Sequence, residues 1–252
     1  PSIQLEPVYV LSPVEMDLML EVAIPWVKEY KPAAEKTLHS LLKTVGAGDA
    51  ARARVLVERK PSLSSSIQAL LKYAKGAKAD LIVTGTHARE GLDRLLLGSY
   101  TESLVMQSRT PLLVVGPESQ ILHRNHILFA TDFSKNAEVV FKRVLGLAKD
   151  LGAKLTILHV VPRPVDAIIQ SGVYLLGGGW IPVTDFWEHD DSQKRKQAQK
   201  WINEAKRAGV KAEFVLTRGS AGSVATTPET IAAQARELKA GMIAIAAQSG
   251  TV

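Results

Sequence analysis

The chain has 252 residues, of which 46% are hydrophobic and 22% charged, with a formal net charge of +6 and no cysteine. This composition suits one large or two medium globular domains, and it excludes a disordered chain, a disulfide framework and a thiolate metal site. No apolar run approaches the roughly 20 residues that cross a bilayer as a helix. The absence of cysteine fits a cytoplasmic location.

The first predicted strand spans residues 3–10 and stops before a serine and a proline. An apolar and aromatic segment, residues 13–33, follows it. Core packing is the simpler interpretation of that segment, and a packed lid or a subunit contact is the alternative.

Residues 81–83 form a short apolar strand that stops at Gly85. A polar turn and a basic, leucine-rich segment follow, and Gly98 and Ser99 then open a helical pattern before a second strand at 111–115. Glycine lets the backbone approach a phosphate closely, and Ser99 with Glu102 predicts a capping box, where free N–H groups favour an anion. The order of these features predicts an anion site between a strand and a helix.

The glycine spacing resembles the nucleotide signature of the universal stress protein family. That signature is a glycine, two residues, a glycine, nine residues, then glycine with serine or threonine. The chain matches it except for Ala88, which stands at the second glycine and whose β-carbon would crowd a triphosphate. The resemblance implies that ATP binds here, with Mg²⁺ as the expected ion. The implied ligand-binding residues are Gly85, Thr86, His87, Ala88, Arg89, Gly98 and Ser99.

A second unit begins at His126, after a short polar linker at residues 118–125. Residues 126–134 resemble the opening strand and acidic turn of another universal stress protein domain. The resemblance places Asp132 near the adenine and ribose of a nucleotide, and a turn aspartate without a ligand is the equally supported alternative. Residues 137–151 predict a helix that ends at a glycine cap, and 153–161 predict a buried strand in which His159 is structural.

Residues 165–190 form a second aromatic excursion, which contains a predicted acidic turn at 189–191. Lysine and arginine then collect at residues 194–211, around apolar residues at helical spacing. This pattern favours a solvated helix whose apolar stripe covers a sheet. Aromatic residues do not alternate with the basic ones, so we do not expect nucleic acid binding.

The two halves are copies of one unit, since residues 79–83 match 240–244. We therefore predict an α/β fold with two tandem Rossmann-like units, of the adenine nucleotide α-hydrolase-like type, with parallel five-stranded sheets packed as a pseudo-dimer. The predicted domains are 1–117 and 126–252. Overlaying the copies, we expect roughly 30–40 residues to be missing at each end. The second copy has Ala246-Ala247-Gln248-Ser249 in place of the glycine turn, so the first copy is the better nucleotide site.

Enzyme motifs are scarce: the histidines lack HExxH spacing, no serine lies in a nucleophile elbow, and we predict no catalytic residue. The resemblance implies a cytoplasmic, ATP-binding stress-response or signalling protein that pairs as a homodimer or an intramolecular pseudo-dimer, without a membrane partner. Ala88 and Ala246 favour a rival hypothesis, a nucleotide-free scaffold of the same fold. A slow ATPase is the second alternative, and the lack of a base or metal cluster weighs against it.

Overall fold

A computed structural model shows the chain as two compact units, Pro1–Ser119 with Thr251–Val252, and Gln120–Gly250. The residues that the structure describes are 4–13, 28–47, 53–86, 99–116, 119, 125–161, 173–174, 180–181, 183–218 and 227–246. Of these, 173–174, 180–181, 183–190 and 218 are described by their backbone alone.

The first unit contains two pairs of parallel strands, each pair joined through a helix. This is the connection that parallel strands require. The elements are β1 (Val8–Leu11), α1 (Lys31–Thr44), β2 (Arg54–Val57), α2 (Leu63–Gly76), β3 (Ile82–Gly85), α3 (Ser99–Gln107) and β4 (Leu112–Val115), with β1 paired to β2 and β3 paired to β4.

The first strand begins later than the sequence predicts, at Val8 rather than at residue 3. Pro7 has no N–H to donate, and its carbonyl instead accepts a hydrogen bond from the Arg54 N–H at 2.8 Å. Glu6 precedes the strand and ties three elements together. Its carboxylate accepts from the Tyr73 hydroxyl at 2.6 Å and from the Arg54 Nε at 3.3 Å.

The second unit is built on a four-stranded parallel sheet in the order β10-β5-β6-β9. A short antiparallel hairpin, β7 with β8, lies between β6 and the next helix in the chain. The elements are β5 (His126–Ala130), α4 (Lys135–Leu151), β6 (Lys154–Val161), β7 (Val173–Tyr174), β8 (Trp180–Ile181), α5 (Val183–Arg207), β9 (Ala212–Arg218), α6 (Thr227–Glu237) and β10 (Met242–Ile245).

Helix α4 covers the sheet with one apolar face. Its buried side chains are Ala137, Phe141, Val144, Leu145 and Ala148. The Phe141 ring stacks on Trp201 of α5 with centroids 4.5 Å apart, and both rings contact Phe129 of β5. Gly152 has a φ of 62°, which confirms the predicted left-handed helix cap.

Ser134 caps the start of α4, because its Oγ accepts a hydrogen bond from the Ala137 N–H at 3.2 Å. We expect Ser134→Ala to lower the free energy of unfolding of the second unit by about 1 kcal/mol, the usual cost of losing such a cap. Urea denaturation followed by circular dichroism checks this value. Ser134→Asn, which keeps a capping oxygen, should restore most of the loss, and equal losses in both variants would contradict a capping role.

The predicted α/β class with parallel, Rossmann-like units is confirmed. Five strands per sheet are not confirmed, since the parallel sheets of the described residues have four, two and two strands. The acidic turn predicted at 189–191 is wrong, because these residues lie within α5. The domain boundaries, the pseudo-dimer packing and the missing ends stay predictions. Within the described part of the chain, no helix is both long and apolar enough to cross a membrane.

Candidate functional site

The first candidate site is the turn that joins β3 to α3. Gly85 is the last residue of β3, and its carbonyl accepts a hydrogen bond from the buried Thr101 hydroxyl of α3 at 3.3 Å. The next residue, Thr86, donates its backbone N–H to the Val115 carbonyl of β4 at 3.0 Å. The end of the strand and the first turn of the helix are therefore held beside each other, as a phosphate turn requires.

Among the described residues, nothing in the fold requires glycine at position 85. A β-carbon built there would lie 3.9 Å from the Val115 carbonyl oxygen, an ordinary contact, and Gly85 is not in the left-handed region of φ. A close approach of another group to the backbone is one physical reason for a glycine at such a position. At the carboxyl end of a parallel strand, that is where ligands bind.

The Thr86 hydroxyl is buried and has no hydrogen-bond partner among the residues that the structure describes. Leaving such a group unpaired costs about 1–3 kcal/mol. A polar ligand at this turn would supply the missing hydrogen bond. The residues present at the turn therefore fit a phosphate-bearing molecule.

The other residues of this predicted site are only partly described. Ser99 is exposed and is the first residue of α3, with Glu102 in the same first turn. The remaining members of the predicted site lie outside the described residues: His87, Ala88, Arg89 and Gly98.

The second candidate site lies where the chain changes direction across the sheet of the second unit. From β5 the chain runs to β6 and β9 on one side, and it returns to the other side of β5 as β10. Ligands of open α/β sheets bind at this point, beyond the carboxyl ends of the two diverging strands. Asp132 stands two residues after β5, as the resemblance implies.

The Asp132 carboxylate is held by its own turn, where Oδ1 accepts a hydrogen bond from the Ser134 N–H at 2.9 Å. Burial by itself raises the pKa of Asp132, but hydrogen bonds from Ser134 and from the aspartate's own backbone, with the charge of Lys194, outweigh it and lower that pKa. Asp132 is therefore ionised at neutral pH. Lys194 of α5 also donates to the Asp132 carbonyl at 3.3 Å.

Phe133 follows this aspartate with a φ of 61°, a left-handed conformation that is unfavourable for a large side chain. Its ring offsets the strain by packing at 4.9 Å from Trp201 and 5.5 Å from His159, measured between centroids. His159 is buried and its Nδ1 donates to the Thr131 carbonyl at 2.7 Å, which confirms its structural role. A cleft of about 330 Å³ lies beside the Phe133 ring, between the first turn of α4 and residues 193–197 of α5.

The phosphate half of this second site has no glycine. Strand β10 ends at Ile245 and is followed by Ala246, and residues 247–249 lie outside the described part of the chain. Over the described ranges, no group of three histidine, aspartate or glutamate side chains is arranged to hold a metal ion. Asp132 and Gly85 belong to different units and are treated as separate sites.

Sequence reasoning missed three residues that shape these sites: Thr101, Phe133 and Lys194. Thr101 fixes the Gly85 carbonyl from 16 residues away, and Lys194 reaches Asp132 from 62 residues away. No local pattern encodes such contacts. The positive φ of Phe133 could not be predicted from the sequence, because glycine is the residue that usually marks such a position.

A family model described as the universal stress protein family matches residues 2–116 and 123–251 of the chain. The chain belongs to this family. Two universal stress proteins of Methanocaldococcus jannaschii are 46% and 39% identical to it over 46 residues, which are 18% of this chain and 27% and 28% of theirs. The chain therefore matches well under two thirds of the length of these relatives.

A universal stress protein structure from Archaeoglobus fulgidus shares the fold over most of the chain. It is 16% identical, with a TM-score of 0.61, and the similarity covers 96% of this chain and 74% of the other. At this identity the likeness establishes the architecture alone. Both units of this universal stress protein thus have the family fold.

Proposed function

We propose that this universal stress protein binds an adenine nucleotide, ATP, at the turn of the first unit that begins with Gly85 and ends with Ser99. The observation that carries the proposal is the glycine that nothing in the described part of the fold requires, at the first position of the family's nucleotide signature. The buried, unpaired hydroxyl of Thr86 supports it from the next residue, with the absence of a partner established among the described residues.

The phosphates would be held by backbone N–H groups at the turn and at the start of α3, where the helix dipole favours an anion. Arg89 would add positive charge beside the terminal phosphate, and His87 would supply a hydrogen-bond donor there. Mg²⁺ bound with the nucleotide would neutralise part of the phosphate charge, and its ligands would come largely from the phosphates. The described residues of the turn, Gly85, Thr86 and Ser99, include no general base, so hydrolysis is proposed as slow at most.

The role of binding in the cell is proposed from the family. Nucleotide occupancy would bias a conformation or a dimer interface that a partner reads, in a cytoplasmic stress response. Such a signal requires the nucleotide to bind one state more tightly than the other. The second unit, whose β10 leads to Ala246 rather than to glycine, is proposed as the nucleotide-free scaffold of the pair.

Ala88→Gly tests the departure from the family signature. We expect the variant to bind ATP about 3- to 10-fold more tightly than the wild type, because it removes the β-carbon that crowds the triphosphate. Calorimetric titration of nucleotide-stripped protein measures both affinities. Binding that appears only in Ala88→Gly would favour the scaffold hypothesis for both units, and binding weakened by the substitution would contradict the proposed position of residue 88.

A further inference from the structure

A buried polar network crosses three strands of the second unit at the amino edge of the sheet, opposite the end that carries Asp132. His126 opens β5 and is 2% exposed, and Thr156 of β6 is completely buried. The His126 Nδ1 lies 3.0 Å from the Leu238 carbonyl oxygen, and its Nε2 lies 2.8 Å from the Thr156 Oγ1. That Oγ1 is 2.7 Å from the Glu213 Oε1 on β9.

All three contacts can be hydrogen bonds only if three hydrogens are available to them. This requirement determines how many protons the network must carry. The Leu238 carbonyl only accepts, so the His126 Nδ1 must carry a hydrogen. Thr156 has one hydroxyl hydrogen, which serves either the His126 Nε2 or the Glu213 carboxylate. If the imidazole is neutral and the carboxylate ionised, one contact has no hydrogen. One additional proton on the network completes all three.

We propose that His126, Thr156 and Glu213 form a chain of hydrogen bonds that is completed when the network takes up a proton. We call this chain the clasp. Near neutral pH the Thr156 hydroxyl donates to the neutral His126, and the exposed Glu213 carboxylate is solvated. When the network takes up a proton, His126 donates to Thr156 and the hydroxyl turns to Glu213. The side chain of Glu213 on the outer strand is then bonded through β6 to β5 and to the end of α6.

The groups around His126 determine the direction in which its pKa is shifted. Burial, and then the charge of Lys154 at the start of β6, lower the pKa of His126, while the Leu238 carbonyl and the charge of Glu213 oppose them. Among the described residues these are the groups that act on the imidazole. From the segment before β10, the Gly241 N–H bonds to the His126 backbone carbonyl at 3.0 Å.

The sign of the pH dependence follows from this direction. The pKa of His126 in the native protein lies below its unfolded value of about 6.5. Above that pH the imidazole is neutral in both states, so it does not lower the free energy of unfolding. Stability is lost as the pH falls from about 6.5 towards the native pKa, where the unfolded chain holds more protons. The clasp limits the loss, because Glu213 stabilises the protonated imidazole through Thr156.

Histidine side-chain NMR of the full chain between pH 4 and 8 tests the clasp, with the His126 signal assigned by its loss in His126→Gln. We expect Glu213→Gln to lower the titration midpoint of His126 by about 0.5 to 1 pH unit. Lys154→Gln should raise it, because a positive neighbour is removed. Glu237→Gln, an equal change of charge on the exposed side of α6, should leave it unchanged.

The hydroxyl is tested separately: Thr156→Ser should keep the wild-type midpoint, and Thr156→Val should lower it. If the valine variant does not fold, the Glu213→Gln and Lys154→Gln pair still decides the question. A midpoint that is unchanged or raised in Glu213→Gln would overturn the proposal. So would a neutral imidazole whose hydrogen is on Nε2 at pH 8.

Discussion

Phe141→Ala is expected to lower the free energy of unfolding of the second unit by about 3–5 kcal/mol, the range for removing a buried aromatic ring. The Phe141 side chain has no exposed surface, and its ring lies within 7° of parallel to the Trp201 ring that it contacts. Truncation would leave a cavity between two helices and β5. Urea denaturation followed by circular dichroism measures the loss.

Val139→Ala is the matched control on the same helix. Val139 is 58% exposed, so its truncation should change the free energy of unfolding by less than about 0.5 kcal/mol. A loss below about 1 kcal/mol in Phe141→Ala, or equal losses in the two variants, would contradict the placement of Phe141 at the centre of the core.

Gly85→Glu is expected to weaken ATP binding by at least about 100-fold while the protein stays folded. Residue 85 is exposed, and among the described residues a β-carbon there meets only an ordinary contact, so we expect the fold to accept a side chain. The added carboxylate would stand at the turn that receives the phosphates and repel them. Titration with ATP measures the affinity, and thermal unfolding without nucleotide checks the fold.

Gly146→Glu controls for the change in net charge. Gly146 is exposed on α4 of the second unit, and a β-carbon there meets no atom of the described residues within 4 Å. This variant should bind ATP as the wild type does. Equal affinities in Gly85→Glu and the wild type would show that the β3 turn does not contact the nucleotide.

Periodic apolar patterns predicted most of the second unit, because its elements are long and their burial is one-sided. Helix α4 begins at Lys135, two residues before the predicted start, and β6 matches the predicted strand within one residue. The glycine cap at Gly152 was equally readable, since a helix end with positive φ selects glycine. Here local sequence and global fold agree.

The sequence predicted two element boundaries wrongly, the start of β1 and the start of α5. Pro7 delayed β1 because it has no N–H to donate, although its carbonyl accepts from Arg54 of the paired strand. Helix α5 begins at Val183, eleven residues before the basic segment at 194–211 that the sequence predicts to be helical. The acidic residues at 189–191 lie inside this helix, about two turns after its start, and not in a turn.

The positions of the candidate sites in the chain could be predicted from the sequence, but the contacts that hold them in shape could not. The signature spacing located Gly85, and the strand-end pattern located Asp132 at the carboxyl edge where the structure has it. The contacts that shape these sites could not be read from local sequence. The Thr101 bond to Gly85 and the reach of Lys194 depend on how the elements pack.

Calorimetric titration of the nucleotide-stripped, intact protein with ATP and Mg²⁺ tests the central claim, with Asp132→Asn and Gly85→Glu measured beside the wild type. The account predicts micromolar affinity with about one ATP per chain, retained in Asp132→Asn and lost in Gly85→Glu. No binding by the wild type, or binding lost in Asp132→Asn and kept in Gly85→Glu, would contradict a working nucleotide site in the first unit.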